Sequence, residues 1–182
     1  MRSHRESRSR PPERGAALTE FALLLPLLMM LVLGLVSVGI AYNHQLAITH
    51  AAREASRFAA TLPVTNFNTE PVPMEAWLDA IAVRTEQNAT GSLDPSTPGR
   101  VVCVAYVHPN GTLATDSTTR RLDDTGTVTY SNADCFSDGR PATERRVQVQ
   151  VSIETDFDVL LFSRTLTLDS EATSRFEAAL GS

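Results

Sequence analysis

The sequence contains no lysine, so all 16 of its basic residues are arginine, and its 21 acidic residues leave a net charge of −5. This balance argues against nucleic-acid binding, which needs a basic face. Two cysteines are too few for a disulfide-built miniprotein or a four-cysteine zinc site. Nucleotide-binding glycine loops, a Gly-x-Ser-x-Gly motif and a His-Glu-x-x-His motif are also missing, and no histidine pair has metal-ligand spacing. We therefore expect no enzymatic activity, no cofactor and no metal.

The most informative absence is one of charge, because no charged residue lies between Glu20 and Arg53. Residues 21–42 within this interval are apolar and, as a helix, would extend roughly 33 Å, against about 30 Å for a bilayer's hydrocarbon core. A helix satisfies its own backbone groups in lipid, so a single transmembrane helix is the simplest interpretation. A buried core helix and a secretory signal cleaved after the small residues at 39–41 are the alternatives.

The arginines around this segment predict its orientation. Five precede it, whereas only Arg53 and Arg57 lie in the comparable stretch behind it. Positive residues favour the cytoplasmic side, so we expect a single-pass cell-membrane protein with a cytoplasmic N-terminus. Residues 43–182 would then be extracytoplasmic.

Small residues recur along the same helix in two groups, one at Gly34, Ser37 and Ala41 and the other at Ala52, Ala55 and Ala59. A stripe of small side chains allows another helix to approach closely. The alternative is that glycine and alanine are simply frequent in membrane helices.

Beyond the membrane, the helical apolar pattern continues to Leu62, and Pro63 ends it, which predicts a helix over residues 16–62. Residues 63–73 are predicted to be a loop, followed by a second helix over 74–89 and a turn region over 90–100. The buried face of this second helix is expected to comprise Trp77, Leu78, Ile81, Ala82 and Thr85.

The remaining sequence predicts strands. Residues 101–107 are continuously apolar, which indicates a central strand, and Pro109-Asn110-Gly111 behind them signals a hairpin. Residues 112–126 are polar and carry no strand prediction. An edge strand is expected at 128–130, an alternating strand at 147–153 and a last strand at 166–176. This order predicts an α+β fold in which one helix packs on a small antiparallel sheet.

Two further segments have more than one interpretation. The connection over residues 156–162 contains Phe157 and Phe162 and is too apolar for an ordinary exposed loop. It could be core, rest on the membrane surface, or contact the stem helix of a neighbouring subunit. The acidic clusters at Asp123-Asp124 and at Asp134 with Asp138 are predicted to be solvated, since they lack calcium-loop spacing.

Cys103 and Cys135 are predicted to form a disulfide, because paired cysteines outside the cytoplasm are ordinarily oxidised. Closing this loop would stabilise the fold by roughly 3–4 kcal/mol. Two unpaired thiols, or a buried Cys103 acting as a small apolar residue, are the alternatives.

The residues just before the apolar run carry the last signal. At the head of the helix, Gly15 is followed by four residues and then by Glu20 and Phe21. Glu20 could be an ordinary interfacial acid whose side chain reaches water. This arrangement resembles a type IV prepilin cleavage site. Together with Pro26 and the run over residues 51–60, it resembles the TadE-like family of tight-adherence (Flp-type) pilus assembly proteins. Residues 175–177 also fit the Arg-x-Glu ending typical of that family.

The resemblance implies a minor pilin or pseudopilin with a pilin-like fold. It implies that a prepilin peptidase cuts between Gly15 and Ala16, and that Glu20 with Phe21 serves subunit assembly. Its partners would be membrane lipid, the peptidase, other pilus subunits and an inner-membrane assembly platform. The expected divisions are a leader over 1–15, a stem helix over 16–62 and an extracytoplasmic α+β domain over 63–182. A permanently anchored extracytoplasmic binding domain unrelated to pili is the alternative.

Overall fold

The computed structural model describes residues 14–62, 72–89, 91–108, 116–141, 143–159 and 162–177. These ranges contain two helices, α1 (Arg14–Thr61) and α2 (Val72–Asn88). They also contain five strands, β1 (Val101–His108), β2 (Asp116–Leu122), β3 (Val128–Ser131), β4 (Arg146–Val159) and β5 (Phe162–Arg175).

The five strands form one antiparallel sheet in the order β3-β2-β1-β4-β5, so the fold is α+β as predicted. The apolar β1 is the central strand and β3 is an edge strand, both as predicted. Both helices pack on one face of the sheet, with α1 against β4 and β5 and α2 against β1 and β2. We refer to the sheet together with α2 as the head, and to α1 as the stem.

The core lies between the helices and the sheet. One face of β4 supplies the alternating residues Val147, Val149, Val151 and Ile153, all of which are buried. The predicted face of α2 is buried as well, and its Trp77 ring meets the Tyr106 and Phe176 rings edge-on at 5.7 and 6.4 Å between centroids. Burial of these large apolar side chains makes the main favourable contribution to the folding free energy of the head.

The structure differs from the sequence predictions in four main places. The stem helix begins and ends slightly earlier than the predicted 16–62, and α2 begins two residues before the predicted 74. Residues 116–122, for which there is no strand prediction from the sequence, form β2. The apolar stretch predicted as a connection is mostly strand, because β4 continues to Val159 and β5 begins at Phe162. The predicted hairpin turn at 109–111 lies outside the described residues.

Strand β2 escaped prediction because both of its faces meet polar partners. Arg120, on the helix side, donates to Asp79 of α2 over 2.5 Å, and Tyr130 of β3 donates to the same carboxylate over 3.0 Å. On the opposite side, the Thr119 hydroxyl donates to the main-chain oxygen of Ala133. Neither face therefore shows the apolar alternation that marks a half-buried strand.

Candidate assembly surface of the stem

The sequence-predicted processing site lies in the first turn of α1. A Cβ added at Gly15 would meet no other atom within 4 Å, and the Thr19 hydroxyl donates to the Gly15 carbonyl oxygen over 3.3 Å. The Gly15–Ala16 peptide is therefore helical, and a peptidase that binds it in extended form would have to unwind this turn. Unwinding is inexpensive here, because the first-turn N–H groups lack helical partners and glycine costs a helix about 1 kcal/mol relative to alanine.

Glu20 and Phe21 lie one turn further along the stem, and both are exposed. None of the ion pairs among the described residues involves Glu20. A helix brings positions four residues apart onto one face, so Ala16 and Glu20 lie one above the other. A carboxylate that has no cationic partner among the described residues, at the head of an apolar helix, is a site where a positive charge would be stabilised.

The following segment of α1 is a continuous apolar surface. The helix is long and apolar enough to cross a membrane, and no residue of its most apolar stretch is buried. A core helix of a soluble protein would be mostly buried, so the structure excludes that alternative. Many large apolar side chains are at least half exposed, among them Leu18, Phe21, Leu23, Leu27, Leu31 and Leu35. By its length and its exposed apolar surface, this helix fits a single-pass membrane protein.

The second small-residue group has its partner within the same chain. Ala52, Ala55 and Ala59 are completely buried, together with Ile48 and Ala51, where the stem packs on β4, β5 and α2. Small side chains bring the helix backbone close to the sheet, which is the role that the sequence suggested for contact with another helix. This stripe is therefore part of the core and is not available to another subunit.

The first small-residue group includes a residue that contacts the far end of the β4–β5 hairpin. Gly34, Ser37 and Ala41 are partly buried, while their neighbours Val36 and Val38 are more than half exposed. The Ser37 hydroxyl donates to the main-chain oxygen of Asp158 over 2.8 Å. The hairpin therefore extends along the stem, and its outer end lies beside the apolar segment at Ser37. We call its outer part, residues 154–159 and 162–167, the arm.

The sheet face opposite the helices is covered by residues 132–141, which we call the covering loop. A disulfide joins Cys135 of this loop to Cys103 of β1, as the sequence predicts. Gln148 of β4 is fully buried beneath the loop, where it accepts from the Cys135 N–H over 3.2 Å. Its amide nitrogen donates to the Phe136 oxygen and to Asp138, both over 3.0 Å. The loop is thus held by one covalent bond and a saturated polar side chain.

An ion-pair cluster lies at the same place. Arg146 of β4 contacts Asp138 over 2.7 Å and Asp134 over 3.9 Å, and Thr173 of β5 donates to Asp138. Burial raises the pKa of Asp138, but hydrogen bonds from Gln148 and the Arg140 N–H and the charge of Arg146 outweigh it and hold the pKa below its ordinary value. The prediction of a solvated cluster is therefore wrong for Asp138, whose side chain is buried and paired with Arg146, whereas Asp134 is exposed.

The comparisons with known proteins bear on the stem. Residues 15–57 match the family model described as TadE-like protein. The matched segment begins at Gly15, contains Glu20, Phe21 and Pro26, and ends inside the buried alanine stripe, so it confirms the family resemblance stated from the sequence. The head, from α2 onwards, lies outside the match. No curated protein and no solved structure matches the chain.

Proposed function

Taking the TadE-like stem as the starting point, we propose that the chain is a minor pilin or pseudopilin that acts in assembly of a tight-adherence (Flp-type) pilus or related secretion system. The observation that carries this proposal is the match over residues 15–57, which coincides with the exposed apolar half of the stem and its junction with the head. The role is structural, so the chain contributes surfaces and a charge, and catalyses no reaction.

In this proposal each part of the chain has one task. Residues 1–15 form an arginine-rich leader that stays in the cytoplasm and is removed by a prepilin peptidase. Residues 16–62 form the stem, which crosses the membrane and packs against other subunits. Residues 63–182 form the extracytoplasmic domain, which decorates or caps the assembly. A reporter enzyme fused after Ser182 tests the orientation, and it should be active only outside the cytoplasm.

Glu20 is the residue that we assign to assembly. Cleavage after Gly15 would create an α-amine on Ala16, which carries a positive charge near neutral pH. Inside a bundle of apolar stems, the Glu20 carboxylate of one subunit would neutralise the amine of the next. In a medium of low dielectric constant such a pair is attractive only in good geometry, so it also selects the register in which two stems pack. Phe21 adds an exposed ring beside it.

The mature N-terminus tests the proposal directly. Protein purified from its own host should begin at Ala16, as read by terminal sequencing or by intact mass. An intact N-terminus would favour the permanently anchored domain, and a start at Tyr42 would identify a cleaved secretory signal. In the structure, hydrogen bonds join the arm and β5 to Ser37 and Gln45, which lie on opposite sides of that second cleavage point. Release at Tyr42 would remove the first of these contacts.

A further inference from the structure

Two grooves of opposite charge flank the β4–β5 hairpin, and the first is basic. It has a volume of about 370 Å³, lies between the stem and β5, and is lined by Arg53 and Arg57. Both arginines are exposed, and neither takes part in an ion pair among the described residues. Glu171 also lines this basic groove, but its carboxylate accepts from the Gln150 amide over 3.4 Å. The groove therefore offers two positive charges that have no acidic partner within the described chain.

The second groove is acidic. It has a volume of about 260 Å³ and lies where the arm begins, lined by His44, Pro98, Glu154 and Asp156 among others. Both carboxylates are exposed, and no ion pair among the described residues involves either of them. The Thr165 hydroxyl donates to Asp156 over 3.0 Å, which leaves the charge of that carboxylate in place. This acidic groove therefore offers two negative charges to a basic partner.

The two grooves lie on opposite edges of the hairpin. Strand β5 is the last strand of the sheet, and the basic groove lies beside it. On the other side, the Glu154 N–H donates to the Pro98 oxygen over 2.8 Å, so the acidic groove lies at the edge of β4 that faces away from β5. A two-fold contact through either groove would bring like charges together. Copies side by side in one orientation bring opposite charges together, and such a head-to-tail contact repeats from copy to copy.

The grooves also lie at different levels of the stem. His44 marks the level of the acidic groove, whereas Arg53 and Arg57 lie nine and thirteen residues further along, which is about 14–20 Å along the helix axis. Two parallel stems at the same depth in a membrane therefore keep the grooves apart. The grooves meet when the copy that contributes its arm is displaced outward by this distance relative to its neighbour.

We propose that the basic groove of one copy binds the arm of a second copy, with its two arginines against Glu154 and Asp156. The contact joins a subunit still in the membrane to one displaced outward, so it holds the outer subunit after extraction. This inference deepens the proposed function and rests on it, because assembly must supply the displacement. The Glu20 pair requires an offset of only four residues, about 6 Å, so the two contacts join a subunit to different neighbours.

Disulfide cross-linking of the full-length chain tests the contact and its offset. The two native cysteines are joined to each other, so the double variant Arg57→Cys, Asp156→Cys adds the only free thiols. In detergent micelles the stems can slide past one another, and mild oxidation should link the chains into a ladder of dimers, trimers and larger species. In phosphatidylcholine vesicles, which hold the stems at one depth, the ladder should be absent. No ladder in micelles, dimers alone, or an equal ladder in vesicles would overturn the inference.

Charge reversal within this double variant tests the pairing. Adding either Arg53→Glu or Glu154→Arg should lower the yield of the ladder in micelles at least about threefold, since each turns an attraction into a repulsion. Adding both together should restore the yield. Yields that do not change on reversal would show that charge does not direct the contact and would overturn the inference.

A matched control and a separate readout complete the test. Ala80→Cys combined with Asp156→Cys places the first thiol on the exposed side of α2, and a ladder from this pair would show random collision and overturn the inference. Pili that require the chain, without any ladder in micelles, would overturn this inference and leave the proposed function standing. A chain that stays uncut and is dispensable for pili, but forms the ladder, would support the contact and overturn the proposed function.

Discussion

Asp138 and Arg146 form a buried ion pair between the covering loop and β4, with 2.7 Å between the carboxylate and the guanidinium and with 7% and 4% of their side chains exposed. Two charges removed from water to this extent destabilise a fold unless each one is paired and hydrogen-bonded. Here Gln148, Thr173 and the Arg140 N–H also donate to Asp138. The charge of this carboxylate therefore supports the covering loop alongside the disulfide and Gln148.

Replacing Asp138 by asparagine should destabilise the head by about 3 kcal/mol, because it leaves the Arg146 charge buried without its closest partner. The pKa of Asp138 is lower in the folded than in the unfolded chain. The pair therefore stabilises the fold fully above the ordinary aspartate pKa of about 3.9, and the stabilisation is lost as the pH falls through the lower folded value. Thermal unfolding in micelles, followed by Trp77 fluorescence at pH 7 and at pH 3, measures both effects.

The exposed Asp124 supplies the control for this experiment. Asp124→Asn should leave the unfolding temperature near that of the parent at both pH values. The difference between Asp138→Asn and the parent should shrink on acidification, since below about pH 3.9 the unfolded parent takes up a proton at Asp138 and the folded parent loses part of the advantage of its charge. A difference that does not change with pH would show that asparagine disturbs packing and that the charge has no role.

Removing the disulfide should lower the free energy of unfolding by a similar amount, but by a different mechanism. The double variant Cys103→Ser, Cys135→Ser releases a loop that spans 32 residues of sequence, which should cost roughly 3–4 kcal/mol. The loss should not vary between pH 7 and pH 3. Mass spectrometry of non-reduced peptides from the host-exported protein should find the two cysteines linked, and free thiols at both positions would contradict an extracytoplasmic head.

Gly15→Leu should leave the precursor uncut, because any Cβ would crowd the approach of a peptidase to the peptide at the membrane face. Leucine also stabilises the first helical turn by about 1 kcal/mol relative to glycine and so opposes its unwinding. Immunoblots of membrane fractions should show only the longer chain. A variant cut as fast as the parent would remove Gly15 from the proposed site.

Glu20→Gln should separate cutting from assembly. Glutamine keeps the size and hydrogen-bonding capacity of the side chain but removes its charge, so the variant should insert and be cut as the parent is, yet fail to support pili. Glu54→Gln is the matched control, since Glu54 lies on the same helix but is exposed beside the head, 3.6 Å from Arg84. Normal pilus formation by Glu20→Gln would mean that Glu20 is only an interfacial acid.

Ala55→Leu should destabilise the head by about 1–3 kcal/mol, because Ala55 is completely buried where the stem meets the sheet and a larger side chain would push the two apart. Ala80→Leu, on the exposed side of α2, should have little effect. Thermal unfolding followed by Trp77 fluorescence compares the two. Equal unfolding temperatures for both variants would mean that the stem and sheet tolerate separation.

Sequence periodicity was sufficient for the parts of the fold with one apolar face. The face of α2 around Trp77 and the alternating residues of β4 were predicted because one side of each element meets the core and the other does not. The prediction failed where polar groups pair inside the molecule. Arg120 in β2 and Asp138 in the covering loop both find their partners at a distance in sequence, and no local pattern records such pairing.

The candidate assembly residues show the opposite limitation. Gly15, Glu20 and Phe21 were singled out because their arrangement before an apolar run resembles a prepilin cleavage site. The structure of a single chain supplies no partner that would reveal their role. The small residues of the stem were recognised, but not what covers them. Ala55 packs on the sheet and Ser37 lies under the arm, and neither contact could be read from a stripe that is equally suitable for another helix.

The buried alanine stripe also determines how a mechanical load would travel through the subunit. The stem is joined to the head by close packing over several turns, by the bond from Gln45 to the Asp169 oxygen and by the Ser174–Ser56 hydroxyl contact. At the C-terminal end of the stem, the Glu177 N–H donates to the Ala60 oxygen over 3.0 Å. A force that pulls on the head along the helix axis would act on all of these contacts at once. The stem and the head would then move as one rigid body, and the apolar helix would leave the bilayer together with the head.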